Sequence, residues 1–248
     1  MRISIITATY NSAATVGDTL SSIASQDYPD IEHLIVDGLS RDNTLDIVKQ
    51  FPHVSSVVTE KDKGIYDAMN KGIARASGEV IGILNSDDLY THNSVISKVM
   101  KAFEDPGVDA VYGDLQYVDQ HRITKVVRTW RSGTFTTNSF YQGWMPPHPA
   151  FFVRRRLYEN FGNFRLDLKT AADYEIMLRF LLREKAKAAY IPEILVLMRT
   201  GGASNASLKQ RLRANREDAR AWEVNGLKPR PWTLVMKPLR KIGQYVFK

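Results

Sequence analysis

Across the first 90 residues, short apolar runs rich in β-branched side chains alternate with segments of helical spacing, and each apolar run stops on a polar cluster. The run at 3–8 is followed by 13–26, where Val16, Leu20, Ile23 and Ala24 recur at helical spacing. A second run at 33–36 ends on Asp37 and leads to a short helix at 42–50 capped by Asp42. Residues 54–59 form a third strand, 65–76 a helix with Ile65, Ala68, Met69, Gly72, Ile73 and Ala76 on one face, and 80–84 a fourth strand. Strands joined through helices at such intervals need crossover connections. This predicts an α/β fold with a mostly parallel central sheet and helices on both faces. Ligands bind beyond the carboxyl ends of the strands in such sheets. The polar clusters stand there: Thr9-Tyr10-Asn11, Asp37 to Asp42, Glu60 to Lys63, and Asn85-Ser86-Asp87-Asp88.

After about residue 108 the pattern loosens. Residues 110–112 and 115–118 read as strands, 128–147 as a polar and aromatic connection, and 172–182 as a helix. Segments 189–191 and 194–198 read as strands and 208–224 as a basic helix. This half is expected to shape the substrate.

Composition narrows the function classes. With 44% hydrophobic and 25% charged residues the chain is globular, and the absence of cysteine excludes a disulfide scaffold, thiolate clusters and thiol catalysis. No stretch approaches the run of about 18 apolar residues of a spanning helix. The apolar start at 3–6 is too short for a signal peptide, so the chain is expected to be cytoplasmic and unprocessed. A net charge of +7 spread evenly would suggest nucleic acid. It is concentrated instead: residues 1–198 carry 22 Lys+Arg against 24 Asp+Glu, and residues 199–248 carry 12 against 3.

The sequence has neither G-x-G-x-x-G nor G-x-x-x-x-G-K-[ST], so both standard phosphate devices are missing. The groups on offer are carboxylates. Asp37 and Asp62 can accept from a base or sugar edge, and Asp87 with Asn85 or Asp88 can hold a hard divalent cation that neutralises a diphosphate. The alternative is that Ser86, Asp87 and Asp88 make a turn and N-cap for a helix near Ser94.

The segments Thr7-Ala8-Thr9-Tyr10-Asn11, Ile35-Val36-Asp37-Gly38-Leu39-Ser40, Asp62-Lys63-Gly64-Ile65-Tyr66-Asp67-Ala68-Met69-Asn70-Lys71-Gly72, Gly78-Glu79-Val80 and Leu84-Asn85-Ser86-Asp87-Asp88 together resemble the family 2 glycosyltransferases with the GT-A fold, of the bacterial exopolysaccharide or colanic-acid type. The likeness resumes at His148, Ala172-Asp173-Tyr174-Glu175 and Gly201-Gly202-Ala203-Ser204. It implies that Thr9 and Asp37 contact the nucleotide base with Asp62 nearby, and that Tyr10, Asn11, Lys63, Asn85, Ser86 and Arg199 belong to the donor site. Asp87 is implied as the metal-binding acid of the D-x-D signature, with Asp88 beside it and Mn²⁺ or Mg²⁺ as the cation. Asn85 stands where the family has the first acid of that signature, so one charge is missing.

The resemblance further implies that Asp173 is the general base of an inverting transfer, although the residues alone allow Asp173 simply to cap the helix that follows. Arg199 would add positive charge at the leaving diphosphate, next to Gly201-Gly202, which reads equally as a donor-covering loop or an ordinary turn. His148 is an acceptor or phosphate contact, or a plain loop histidine. Trp144, like Trp130 and Tyr141, either stacks on an acceptor sugar or belongs to the core.

Residues 1–225 are thus expected to be the glycosyltransferase domain, with a nucleotide-binding half at 1–113 and an acceptor half at 114–225. Residues 226–248 form a basic segment with Lys228, Arg230, Lys237, Arg240, Lys241 and Lys248 and no acids, beside Trp232, Leu234, Val235 and Leu239. It suits an anionic inner-membrane surface, a disordered end or a docked helix, with Pro238 interrupting any long helix. The expected activity moves a sugar from a nucleotide-diphosphate sugar to a hydroxyl of a glycan acceptor, polyprenyl-diphosphate-linked, for a surface polysaccharide. The alternatives are a nucleotidyltransferase on a similar sheet, for which the first loop lacks a Gly-rich basic cradle, and a nucleic-acid-binding module using the basic helix at 208–224.

Overall fold

The computed structural model describes residues 1–201 and 208–246. Strand β1 (Ile3–Thr9) lies parallel to β2 (Ile31–Asp37), in register from Ile3↔Ile31 to Thr9↔Asp37, and on its other side to β4 (Val80–Ile83). β3 (Val54–Thr59) adds the outer strand of this parallel half. β1 and β4 are buried along both faces, which is why they read as continuous Ile and Val runs. Helices α1 (Val16–Ala24), α2 (Thr44–Val48) and α3 (Ile65–Arg75) make the crossovers. Ile6, Leu34, Met69 and Ile73 bury in one cluster, whereas Ile3, Ile5, Ile23 and Val80 bury in another with α4 (Val95–Ala102).

Beyond β4 the sheet becomes mixed, in the order β3-β2-β1-β4-β8-β6-β9-β5, with β7 beside β6. The strands here are β5 (Asp88–Tyr90), β6 (Ala110–Val118), β7 (Val126–Trp130), β8 (Phe151–Arg154) and β9 (Ala188–Arg199). β8 runs antiparallel to both β4 and β6 and β5 antiparallel to β9, whereas β6 and β9 are parallel, so the mostly parallel sheet that was expected takes on its antiparallel pairings beyond β4. The paired segments expected at 110–112/115–118 and at 189–191/194–198 are single strands, each broken in the sequence pattern by a local irregularity. Tyr112 and Asp114 pair with Tyr190 and Ile194, so the extra residues of β9 include Pro192, whose missing N–H suits a bulge. The connection expected at 128–147 overlaps β7 and a short helical turn, Phe140–Gln142.

Helix α5 (Arg155–Phe161) precedes α6 (Ala172–Met177), which widens into a π-helical turn at Leu178–Arg183. Glu175 and Arg179 pair across that transition, both nearly closed to solvent. α7 (Leu208–Val224) buries Trp222, whose Nε1 donates to the Tyr174 hydroxyl at 3.0 Å.

α8 (Thr233–Val246) is a helix docked on the domain, and it runs through Pro238 rather than being interrupted there. Thr233 Oγ1 donates to the Tyr141 carbonyl (2.8 Å), and Lys237 Nζ lies 2.6 Å from Asp218 and 3.5 Å from the centroid of the Tyr174 ring. Gly143, at φ +73°, meets the Lys237 backbone so closely that a Cβ there would lie 2.3 Å from Lys237 N. Only glycine fits both the conformation and the space.

Candidate active site

The parallel strands carry their carboxyl ends to one edge of the sheet. Gly38 N donates to the Thr9 carbonyl (2.8 Å), Glu60 N to the Asp37 carbonyl (3.0 Å) and Leu84 N to the Ile6 carbonyl (3.0 Å). The loops after β1, β2, β3 and β4 therefore share a rim.

Asp37, expected to contact a base, lies at the end of β2. Its oxygens accept from Thr9 Oγ1 (2.9 Å), Ser40 N (2.9 Å) and Ser40 Oγ (2.5 Å), and the residue is 0% exposed. Thr9 is buried with it, and the pair fixes the loop after β2. Asn11 is a brace: its N–H donates to Ser40 Oγ and its Oδ1 accepts from Arg41 N, both at 2.8 Å. Asn11 (φ +49°) and Leu39 (φ +65°) both hold left-handed backbone, which a leucine adopts only at a cost.

Exposed Tyr10 meets a largely buried Asp62 at this end. A Cβ on Gly38 would lie 2.9 Å from Asp62 Oδ2 and 3.5 Å from Tyr10 Cδ2, so an aromatic ring 64% exposed and a carboxylate converge over a bare backbone. Asp62 is paired with Lys71 Nζ (2.6 Å), which also lies 3.7 Å from Glu60 and 3.6 Å from Asp67. Lys71 carried no separate role in the sequence reading. Lys63 is exposed, and its N–H donates to Asp67.

The loop after β4 holds the acids. Asn85 Nδ2 donates to Asp88 Oδ2 (2.9 Å), leaving Asn85 Oδ1 and Asp88 Oδ1 buried with no partner among the described residues. Burial pushes both the Asp87 and Asp88 carboxyls up, Asp88 further because Asp87 faces it; Arg199 pulls the other way. Arg199 is buried, donates to the Asp87 carbonyl (2.9 Å) and is ion-paired with Asp18, so it braces this turn. Ser86 Oγ meets Ser12 Oγ at 2.9 Å. Ser86 and Asp87 do form a turn, yet none of the three residues caps α4: Asp88 begins β5, and α4 starts after Ser94 without a side-chain cap.

A cation is the natural partner for two orphaned oxygens beside two carboxyls. Among the described residues no three His, Asp or Glu side chains are grouped to hold a metal by themselves. The donors present are all oxygen. They fit a hard divalent ion that completes its shell with phosphate and water.

The antiparallel register Ile81↔Val153 returns the chain to the same end of β4, where residues 148–150 form a short turn. His148 there packs edge-on against Phe164 (5.6 Å between ring centroids), and Tyr66 of α3 stacks on the same Phe164 ring at 5.6 Å. Asn70 clamps Phe164 by two bonds, Nδ2 to its carbonyl (2.8 Å) and Oδ1 from its N–H (2.9 Å). Asp173 sits in the first turn of α6 and accepts from the Tyr66 hydroxyl at 3.3 Å and from Tyr174 N at 2.8 Å. Burial depresses the His148 pKa, and the Asp173 charge opposes that shift. Burial and the Asp173 charge together keep the Tyr66 phenol protonated. Tyr66 and Phe164 were not singled out from the sequence. Phe164 has no local signal, since its partner Asn70 is 94 residues away.

Trp144 was expected either to stack on an acceptor sugar or to belong to the core. It is buried, its Nε1 donates to the Ser132 carbonyl (2.6 Å) and its ring packs against Phe135, Phe140 and Tyr112. It is core and offers no face to a sugar. Tyr141 packs on Trp222, and Trp130 is partly buried against the core. Gly201 is exposed, and Gly202, Ala203 and Ser204 lie outside the described residues.

The family model described as Glycosyl transferase family 2 matches residues 4–162. A PGL/p-HBAD biosynthesis glycosyltransferase of Mycobacterium bovis is 31% identical over 208 residues, covering 82% of this chain and 78% of that one. An uncharacterized glycosyltransferase of Mycobacterium tuberculosis is 32% identical over 184 residues, covering 73% and 69%. Among solved structures, S. aureus TarS 1-349 in complex with UDP superposes with a TM-score of 0.71 at 19% identity, over 98% of this chain and 72% of that one. The mannosyltransferase PcManGT from Pyrobaculum calidifontis, in complex with GDP-Man and Mn²⁺, gives 0.67 at 20% identity, over 100% and 76%. At these identities the superpositions speak for the fold.

Proposed function

The chain belongs to glycosyl transferase family 2 and has the GT-A fold, and from that premise we propose that it transfers a sugar, with inversion, from a nucleoside-diphosphate sugar to a hydroxyl of a polyprenyl-diphosphate-linked glycan in surface polysaccharide biosynthesis. The observation that carries this is the shared rim: Tyr10 and Asp62 at one end, the Asn85–Asp88 loop in the middle, and Asp173 with Tyr66 and His148 beyond it.

Tyr10 stacks on the base and Asp62 accepts from its N–H or from the ribose, held in place by Lys71. Asp87, with Asp88 and the Asn85 carbonyl oxygen, holds Mn²⁺ or Mg²⁺, which when bound offsets the charge of the leaving diphosphate. Arg199 fixes the turn that carries Asp87. Asp173 takes the proton of the acceptor hydroxyl, with Tyr66 orienting its carboxylate. His148, neutral through burial, hydrogen-bonds the acceptor. The names of the structural neighbours, bound to UDP or to GDP-Man with Mn²⁺, support a nucleotide-sugar donor and a divalent cation.

Thermal-shift screening of UDP-, GDP- and TDP-sugars with and without Mn²⁺ or Mg²⁺ tests the proposal. One nucleotide should raise the melting temperature only when the cation is present, because a ligand that binds the folded state stabilises it by mass action. No response to any nucleotide sinks it.

A further inference from the structure

Helix α8 docks through Leu234 and two polar side chains and leaves other apolar ones outside. Lys237 points inward, to Asp218 and the Tyr174 ring, and Thr233 is buried, whereas Trp232, Val235 and Leu239 point outward with exposures of 51%, 59% and 49%. Spacings of three and four residues place these three on one helical face. Arg230 lies 5.7 Å from the Trp232 ring, and Lys228 and Arg240 are exposed around the same face. Residues 226–248 contain no acid, so nothing on this segment neutralises those charges.

We propose that the outer face of α8, Trp232, Val235 and Leu239 rimmed by Lys228, Arg230 and Arg240, docks on an anionic lipid surface. Apolar side chains ringed by basic ones suit the headgroup boundary, where the rings and aliphatic groups enter and the cations meet lipid phosphates. A protein partner of ordinary composition would need an acidic rim matched to this one, whereas an anionic bilayer supplies negative charge at every orientation. The inner face of the same helix holds Tyr141, Gly143 and Tyr174, which flank His148 and Asp173 in sequence. Docking therefore fixes the acceptor half against the surface where a lipid-linked acceptor resides. The inference rests on the membrane-borne acceptor proposed above.

The test floats the full-length protein with vesicles of phosphatidylcholine alone and of phosphatidylcholine with about one third phosphatidylglycerol. Binding to the anionic vesicles only, weakened by salt, is expected, with a blue shift of tryptophan emission from Trp232; Trp144 and Trp222 are already buried. Replacing Lys228, Arg230 and Arg240 with Gln should weaken binding about fivefold each, on the order of a hundredfold together. Trp232→Ser with Val235→Ser and Leu239→Ser should abolish it and the blue shift. Equal binding to neutral vesicles, unchanged binding by either triple variant, or a dimer broken by Val235→Ser would each overturn the proposal. Donor protection against thermal unfolding, read on the same samples, keeps the two ideas apart: lost vesicle binding with intact donor protection defeats the docking face alone, and the converse defeats the donor reading alone.

Discussion

The Glu175–Arg179 pair allows the sharpest test of how the acceptor half is held. Arg179 donates to both Glu175 oxygens (3.0 and 2.6 Å) and to the carbonyls of Phe161 (2.7 Å), Gly162 (2.6 Å) and Asn163 (2.9 Å), and Asn225 Nδ2 donates to Glu175 Oε1 at 3.1 Å. The side chains are 8% and 2% exposed. Arg179→Met strands a buried carboxylate and strips three carbonyls, and breaking a buried pair in this way costs about 3–5 kcal/mol. Glu175→Leu leaves the guanidinium its carbonyl partners, so its cost should fall at the lower end of that range. Removing both removes the stranded charge, so the double variant should fall short of the sum by roughly 2 kcal/mol or more. Urea unfolding followed by circular dichroism, with an unchanged slope against denaturant, reads all three values. Because Arg179 ties α6 to the residues just before Phe164, Arg179→Met should also lower transfer while leaving donor affinity unchanged. A single-variant cost under about 1 kcal/mol, or strict additivity in the double, would show that the pair is not a coupled buried charge.

Three other perturbations follow from the site and core. Asp173→Asn should remove transfer, by about a hundredfold or more, with donor protection in thermal shift intact; an active variant places the base elsewhere. Asp87→Ala should abolish cation-dependent protection by the nucleotide sugar, and protection that persists removes Asp87 from the ligands. His33 is fully buried between Thr7 Oγ1 and His53 Nε2 (3.1 Å each), and burial with the His53 charge lowers its pKa to about 3. The unfolded histidine takes a proton near pH 6.5 and the folded one does not, so stability is complete above that pH and falls by roughly 1.4 kcal/mol per unit as pH drops from 6.5 toward 3. His33→Gln should flatten that slope in pH-dependent urea titrations, whatever it does to stability at pH 8; an unchanged slope puts the acid sensitivity elsewhere.

The parallel half was legible because crossovers force a strand–helix rhythm, and β1 to β4 and α1 to α3 lie where the apolar periodicity put them. β5, β7 and β8 were not. β5 is three residues long and opens on a buried Asp88, and Phe151-Phe152-Val153 in β8 is too short a run to tell from a loop. The acids of the rim were visible as residue types, yet sequence does not tell which partner holds each carboxylate: Asp37 is sealed by Thr9 and Ser40, while Asp62, its side chain 11% exposed, is held by Lys71. Trp144 is the same ambiguity in an aromatic side chain. Tyr66 and Phe164 gain their meaning from α3 and the approach to α6 meeting, a contact made by tertiary packing alone.

The insertion of β8 between β4 and β6 also bears on how the chain can be made and cut. One flank of β4 remains unpaired until residue 151 has left the ribosome and turned back, so the leading segment emerges with a bare, apolar edge open to other chains. Pairing over such separation slows folding. A fragment ending near residue 113 would keep that edge permanently, which makes it a candidate for aggregation rather than a minimal nucleotide-binding unit.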